Sequence, residues 1–186
     1  MISGEARGHK LKTIKGNTTR PTTDRVKESL FNIISGFVAD ANVLDLFAGT
    51  GNLGIEALSR GAKRAVFVDK SRECAGVITE NLVHTKLLER STVITGDVTH
   101  AISRLEAEGM RFDLIFLDPP YNKNFVEKTL NNLANSDIIL RNGLIVAEHD
   151  YIDTIPEQVE DIRLLRSERY GDTIISFFRK SNEEGN

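Results

Sequence analysis

From residue 42 to residue 150 two kinds of segment alternate, and this alternation limits the fold more than any other feature. "NVLDLFAG", "AVFVD", "TVITGD", "FDLIFLD" and "GLIVAEHD" are short apolar runs rich in strand formers. Between them stand "NLGIEALSR", "SRECAGVITENLVHTKLL", "VTHAISRLEAEG" and "KNFVEKTLNNLAN", whose apolar residues recur at helical spacing. Parallel strands need crossover connections, usually helices, and the sheet they form is covered on both faces. The order therefore predicts an α/β chain with a doubly wound, mostly parallel sheet. Gly61 is placed to stop the first of these helices. Near the C-terminus, "IRLLRSERYGDTIISFFRK" has two strand-like runs around "RYGDT" with no room for a helix, which predicts an antiparallel hairpin at the end of the sheet.

Upstream, "RPTTDRVKESLFNIISGF" predicts a helix that begins near Thr22 or Thr23 and carries Val26, Leu30, Ile33, Ile34 and Phe37 on one face. A length of 186 residues suits one domain, taken as 22–180, with an arm over 1–21 and a disordered tail over 181–186. The net charge of −3 hides an asymmetry. Residues 1–27 hold Arg7, Lys10, Lys12, Lys15, Arg20, Arg25 and Lys27 against Glu5 and Asp24, so this segment carries +5 and the remainder −8. A basic arm on an acidic body suits a partner that is polyanionic at one place. A solvated tail is the plainer alternative. "MISGEARGHK" lacks the apolar stretch of a secretory signal and no apolar run could span a bilayer, so a cytoplasmic location with no membrane partner is expected. The single cysteine, Cys74, excludes an intramolecular disulfide and reads as helix packing; no Cys/His cluster has zinc spacing, and no metal is expected.

The loop after the first strand, "DLFAGTGNLG", sets Gly49, Gly51 and Gly54 in GxGxxG spacing ahead of a helix. Glycines let the chain turn tightly and let a ligand reach the backbone, while the helix N-terminus offers unpaired N–H groups. Asp69, at the end of the second strand, stands where an acid accepts bonds from ribose hydroxyls. Nicotinamide, flavin and S-adenosylmethionine sites share this spacing. Asp45 distinguishes them, because it interrupts a strand that is normally apolar in dinucleotide binders, and a cationic amino group and sulfonium would favour its carboxylate. Asp97 can accept from an adenine amine or cap the helix that follows it.

The fourth strand ends in "DPPY", Asp118 to Tyr121, beside the first strand in a doubly wound sheet. An exocyclic amine conjugated to a base is a poor nucleophile. A carboxylate and a backbone carbonyl that accept its two N–H groups draw the nitrogen toward tetrahedral geometry and free its lone pair. Asp118 supplies the carboxylate, and the Pro119 carbonyl can supply the other acceptor, since consecutive prolines fix the backbone. Tyr121 offers a face for the base to stack on, or packs the edge of the loop. His149, flanked by Glu148 and Asp150, reads as a polar strand terminus rather than a base.

"DLFAGTGNLG", Asp69, Asp97 and "DPPY" together resemble the motifs of Rossmann-like class I S-adenosylmethionine-dependent methyltransferases that act on exocyclic amines. "ISGEARGHKL" and "RPTTDRVKESLFNII" look like the RsmD family, bacterial methyltransferases that modify the N2 of one guanine in small-subunit ribosomal RNA. The resemblance runs from about residue 1 to about residue 180. It implies a seven-stranded sheet with the hairpin at one edge and a basic N-terminal hairpin that helps engage RNA. Asp118, Pro119, Pro120 and Tyr121 match the catalytic tetrapeptide. Asp45, Phe47, Gly49, Gly51, Gly54, Asp69, Lys70, Asp97 and Val98 would hold S-adenosylmethionine and its product S-adenosylhomocysteine. Lys10, Lys12, Arg20, Thr22, Thr23 and Arg25 would contact the substrate or the methionine end of the cofactor.

Other readings stay open on the residues alone. They are an adenine-N6 methyltransferase on DNA or RNA, a nicotinamide oxidoreductase, and a non-catalytic RNA-binding assembly factor. The expected partner is small-subunit ribosomal RNA, free or within an assembling particle, and the expected state is a monomer.

Overall fold

The computed structural model describes residues 1–14, 24–120 and 124–181. Five parallel strands come first: β1 (Asn42–Leu46), β2 (Arg64–Asp69), β3 (Ser91–Thr95), β4 (Phe112–Leu117) and β5 (Ile139–Asp150). Helices α2 (Asn52–Ser59), α3 (Arg72–His84), α4 (Val98–Ala107) and α5 (Phe125–Ala134) connect them, after α1 (Asp24–Ile33). The chain finishes with β6 (Gln158–Val159), β7 (Ile162–Tyr170) and β8 (Thr173–Lys180), and the sheet runs β3-β2-β1-β4-β5-β8-β7-β6. The doubly wound architecture is the one the alternation predicted. Among the described residues the sheet has eight strands where seven were expected, because Gln158–Val159 pairs with β7 at the edge and two residues carry no periodicity signal.

Side-chain parity explains the two cores. Val43, Phe67, Phe116 and Val146 face one side with Phe31, Leu58 and Ile78, while Leu44, Val68, Leu117 and Ala147 face the other with Ile102, Leu105 and Leu130. Each fully buried Phe or Leu contributes about 1.5–3 kcal/mol. Asp45 falls on the Phe116 side, between apolar neighbours, where period-two alternation calls for another hydrophobe. Gly61 follows α2 at φ +99°, the left-handed geometry that stops a helix there.

The first helix carries its expected face. Leu30 and Ile34 are buried, and Val26, Ile33 and Phe37 pack against the same core; Phe37 arrives there by a 3-10 turn over Ser35–Phe37. Thr22 and Thr23, the expected caps, lie outside the described residues. Lys27 corrects the charge reading: it is 2% exposed and contributes nothing to a basic surface. Its Nζ donates to Asn52 Oδ1 at 2.6 Å and stands 3.7 Å from Glu56 Oε2. Glu56, fully buried on α2, also takes Arg60 Nε at 2.8 Å and the backbone N–H groups of Ile2 and Ser3 at 3.0 and 3.1 Å.

The arm is therefore fastened to the body. Ala6 is buried and its N–H donates to Ser59 Oγ at 2.9 Å. Over residues 1–14 it forms bends and turns at residues 3–8 and no strand; the rest of the expected hairpin falls outside the described residues. Ser181 N–H donates to the Asp161 carbonyl at 2.6 Å, and the remainder of the expected tail, 182–186, lies outside the described residues. Among the described residues no helix is long and apolar enough to cross a membrane.

Candidate active site

Strand order reverses between β1 and β4, and two loops meet at that crevice. On the β1 side Gly49 and Gly51 take φ +56° and +79°, and Gly51 N–H donates to the Ala48 carbonyl at 2.7 Å, so the chain turns directly into α2. A side chain would strain both positions. Phe47 is also left-handed, at φ +61°, which stores strain at the lip of the loop. Its ring lies 5.7 Å from that of Phe125.

The acids around this loop are held by backbone donors. Asp69 Oδ2 accepts from Gly49 N–H at 2.9 Å and Oδ1 from Ser71 N–H at 2.8 Å, which ties the glycine loop to the end of β2. Asp97 Oδ1 caps α4 by accepting from Thr99 N–H at 2.8 Å, so the capping role holds and Oδ2 remains available to a ligand amine. Asp45 is 2% exposed and its Oδ2 accepts from Gly54 N–H at 2.8 Å. Burial pushes its pKa from 3.8 to about 8, against the opposing Gly54 hydrogen bond and with help from the Asp69 charge. Gly54 is glycine because an added Cβ would stand 2.3 Å from Phe67 Cε1. Lys70 is exposed beside Asp69, and Val98 is buried at the start of α4.

Across the crevice, Asp118 N–H lies 3.5 Å from the Leu46 carbonyl, one residue before Phe47. Burial, then Glu148, then Asp45 push the Asp118 carboxyl well above the usual range. Pro119 is buried and Pro120 exposed; Tyr121 lies outside the described residues. Beyond the prolines opens a pocket of about 330 Å³, counting space open to solvent, lined by Pro119, Pro120, Phe125, Glu148, His149 and Ile155 among others. His149 is buried within β5, its Nε2 2.9 Å from Ser176 Oγ, and burial lowers its pKa. Glu148 was missed as a site residue; an acid closing an apolar run one strand over from "DPPY" was the available signal.

Of the expected RNA contacts, Lys10, Lys12 and Arg25 are exposed, and Lys12 pairs with Glu80. Arg20, Thr22 and Thr23 lie outside the described residues. The arm reaches the glycine loop through Asn81, whose Oδ1 accepts from Lys12 N–H at 2.7 Å while Nδ2 donates to the carbonyls of Lys12 and Thr50 at 3.1 and 3.0 Å. Cys74 is buried on α3, and burial pushes its thiol up, as packing requires.

This set of acceptors fits a ligand with a cation at one end and hydroxyl and amino donors at the other. The buried Asp45 would gain from a nearby positive charge, Asp69 and Asp97 keep acceptor capacity, and a Cβ at Gly49 or Gly96 would meet only open space.

The sequence family described as "Conserved hypothetical protein 95" matches residues 1–179. "Putative rRNA methyltransferase YlbH" of Bacillus subtilis is 39% identical over 180 residues, covering 97% of this chain and 98% of that one. Ribosomal RNA small subunit methyltransferase D of Escherichia coli is 35% identical over 156 residues, covering 84% and 77%. The solved structure of "Putative methyltransferase yhhF from Escherichia coli" superposes with a TM-score of 0.84 at 32% identity over 97% of each chain. By sequence and by fold, the chain belongs to the RsmD family of class I methyltransferases.

Proposed function

We infer that this protein transfers a methyl group from S-adenosylmethionine to the exocyclic N2 amine of a guanine in small-subunit ribosomal RNA, in the cytoplasm. The observation that carries the reading is the position of Asp118 and Pro119, with the glycine loop on one side and the open pocket on the other. A reacting amine held at that turn would have the cofactor in line and the base in the pocket. The relatives' names support ribosomal RNA as the substrate class, and the exposed lysines of the arm suit a phosphate backbone.

The chain's own residues divide the work. Asp45, Asp69 and Asp97, with Phe47, Lys70, Val98 and the glycines, hold the cofactor, which supplies an activated methyl on a sulfonium. Asp118 and the Pro119 carbonyl accept the two amine hydrogens and aim the nitrogen lone pair. With the methyl–sulfur bond broken and the cofactor left as a neutral thioether, the nitrogen that gains the methyl would become cationic, and Asp118 would take its surplus proton. Its raised proton affinity suits that step. Tyr121 gives the base a stacking face, and Lys10, Lys12, Arg20, Thr22, Thr23 and Arg25 hold the RNA. No metal is needed, because the leaving group already carries the positive charge.

The test is transfer of labelled methyl to small-subunit particles and to naked ribosomal RNA from cells lacking the activity, followed by nucleoside analysis. N2-methylguanosine formed by the wild type and lost in Asp118→Ala, with cofactor affinity kept, is the expected result. Another methylated nucleoside would refute the guanine assignment, and no transfer to either substrate would favour an assembly factor.

A further inference from the structure

Three carboxylates converge at the carboxyl ends of β1, β4 and β5, and they are not equivalent. Asp45 is engaged by Gly54 N–H beneath the glycine loop. Asp118 follows β4 directly. Glu148 stands on β5 one residue past Ala147, which pairs with Leu117, so it sits level with Asp118 on the neighbouring strand. It is 4% exposed, yet lines the open pocket together with Pro119 and Pro120. Its charge is close enough to raise the proton affinity of Asp118.

An acceptor at this place discriminates among bases. Guanine presents N1–H on one side of its N2 amine and an unprotonated N3 on the other, so the N1 side of the amine is the one that offers a second donor. Adenine sets an unprotonated N1 beside its amine, and cytosine an unprotonated N3. A carboxylate adjoining the amine-binding acceptors thus gains a hydrogen bond from guanine and faces a lone pair from either other base.

We propose that Glu148 selects guanine by accepting its N1–H while Asp118 and the Pro119 carbonyl hold the N2 amine. This role rests on the guanine-N2 reading above and adds the group that enforces it. His149, beside it on β5, is bonded to Ser176 and to the Asp150 carbonyl, which fixes the strand behind the pocket.

The probe is 2-aminopurine, which keeps the exocyclic N2 amine, replaces N1–H with a lone pair and also lacks O6, so the share due to Glu148 is the part of the wild-type preference that its substitution removes. RNA carrying guanine or 2-aminopurine at the mapped position is offered free or in reconstituted particles, whichever accepts methyl. The wild type is expected to favour guanine in kcat/KM on the order of 100-fold, the cost of leaving a buried carboxylate against a lone pair. Glu148→Gln, whose amide offers either a donor or an acceptor, should narrow that preference to about 10-fold or less with cofactor affinity unchanged. Glu148→Asp should keep the preference at a lower kcat. Wild-type indifference to the replacement, or full preference retained in Glu148→Gln, would overturn the role of Glu148. Failure of the guanine substrate itself to yield N2-methylguanosine would instead refute the reading beneath it. Should Glu148→Gln prove unfolded, Glu148→Ala, which removes the acceptor, takes its place, and a full preference kept there would overturn the role.

Discussion

Replacing Asp45 with asparagine should change how the cofactor-free protein responds to pH. Burial raises the Asp45 pKa from 3.8 to about 8 in the folded protein, while the unfolded chain keeps the ordinary value. A raised folded pKa means that the native state binds the proton more tightly, so its stability contribution is complete below 3.8 and is lost as pH climbs through about 8. Between about pH 5 and the folded pKa the loss is on the order of 4 kcal/mol, at about 1.4 kcal/mol per unit. For a chain of this size that corresponds to roughly 8–16 °C in Tm. The substituted amide would still accept from Gly54 N–H but would not titrate, and its burial would add a constant cost. The informative quantity is thus the gap in Tm between variant and wild type, followed by thermal melts from about pH 5 to pH 8.5, which should move toward the variant by that amount. Saturating S-adenosylmethionine should flatten the wild-type slope, because a bound cation stabilises the carboxylate. Melting curves that run parallel across this range would refute the reasoning, since they would mean that Asp45 does not hold a proton in the folded protein.

Gly54→Ala would drive a methyl to 2.3 Å from the buried Phe67 ring and to 3.0 Å from Asp45 Oδ2. Overpacking of that kind costs about 1–3 kcal/mol, read by urea denaturation, and calorimetry should show weakened cofactor binding. Glu56→Ala leaves the buried Lys27 only the exposed carboxylate of Asp24, 3.7 Å away, and frees the N–H groups of Ile2 and Ser3; about 3 kcal/mol of destabilisation is expected, with an arm newly open to protease. Neutralising Lys10, Lys12 and Lys15 together should weaken RNA binding and shallow its salt dependence by about 0.7–0.9 log unit per lost phosphate contact. Cofactor affinity should hold, because Asn81 grips the backbone of Lys12 and not its ammonium group; equal loss of both affinities would refute that separation.

The sheet was legible because its signals are local: an apolar run, a helical period and a glycine can each be read within about ten residues. So were Asp45 and Asp118, which break apolar runs and so announce themselves. Lys27 and Glu56 were not, since each sits at a helical position where a charged residue ordinarily faces water. Only the packing of α1 on α2 turns them inward together. Glu148 escaped for a related reason, because the end of a strand is a common place for an acid and its level with Asp118 is a fact of strand register. β6 was too short to leave a pattern.

The fastening of the arm also sets an order of events during synthesis. Ile2 and Ser3 leave the ribosome first but must wait 54 and 53 residues for Glu56, and Lys12 waits 69 for Asn81. At about 5–20 residues per second that is a delay of roughly 3–15 s, long on the scale of helix formation. Throughout it the basic segment is a loose cationic chain in a compartment crowded with RNA. Only when α2 and α3 have emerged can it be drawn onto the body, so the oldest part of the polypeptide waits until nearly half the chain has been made before it finds its place.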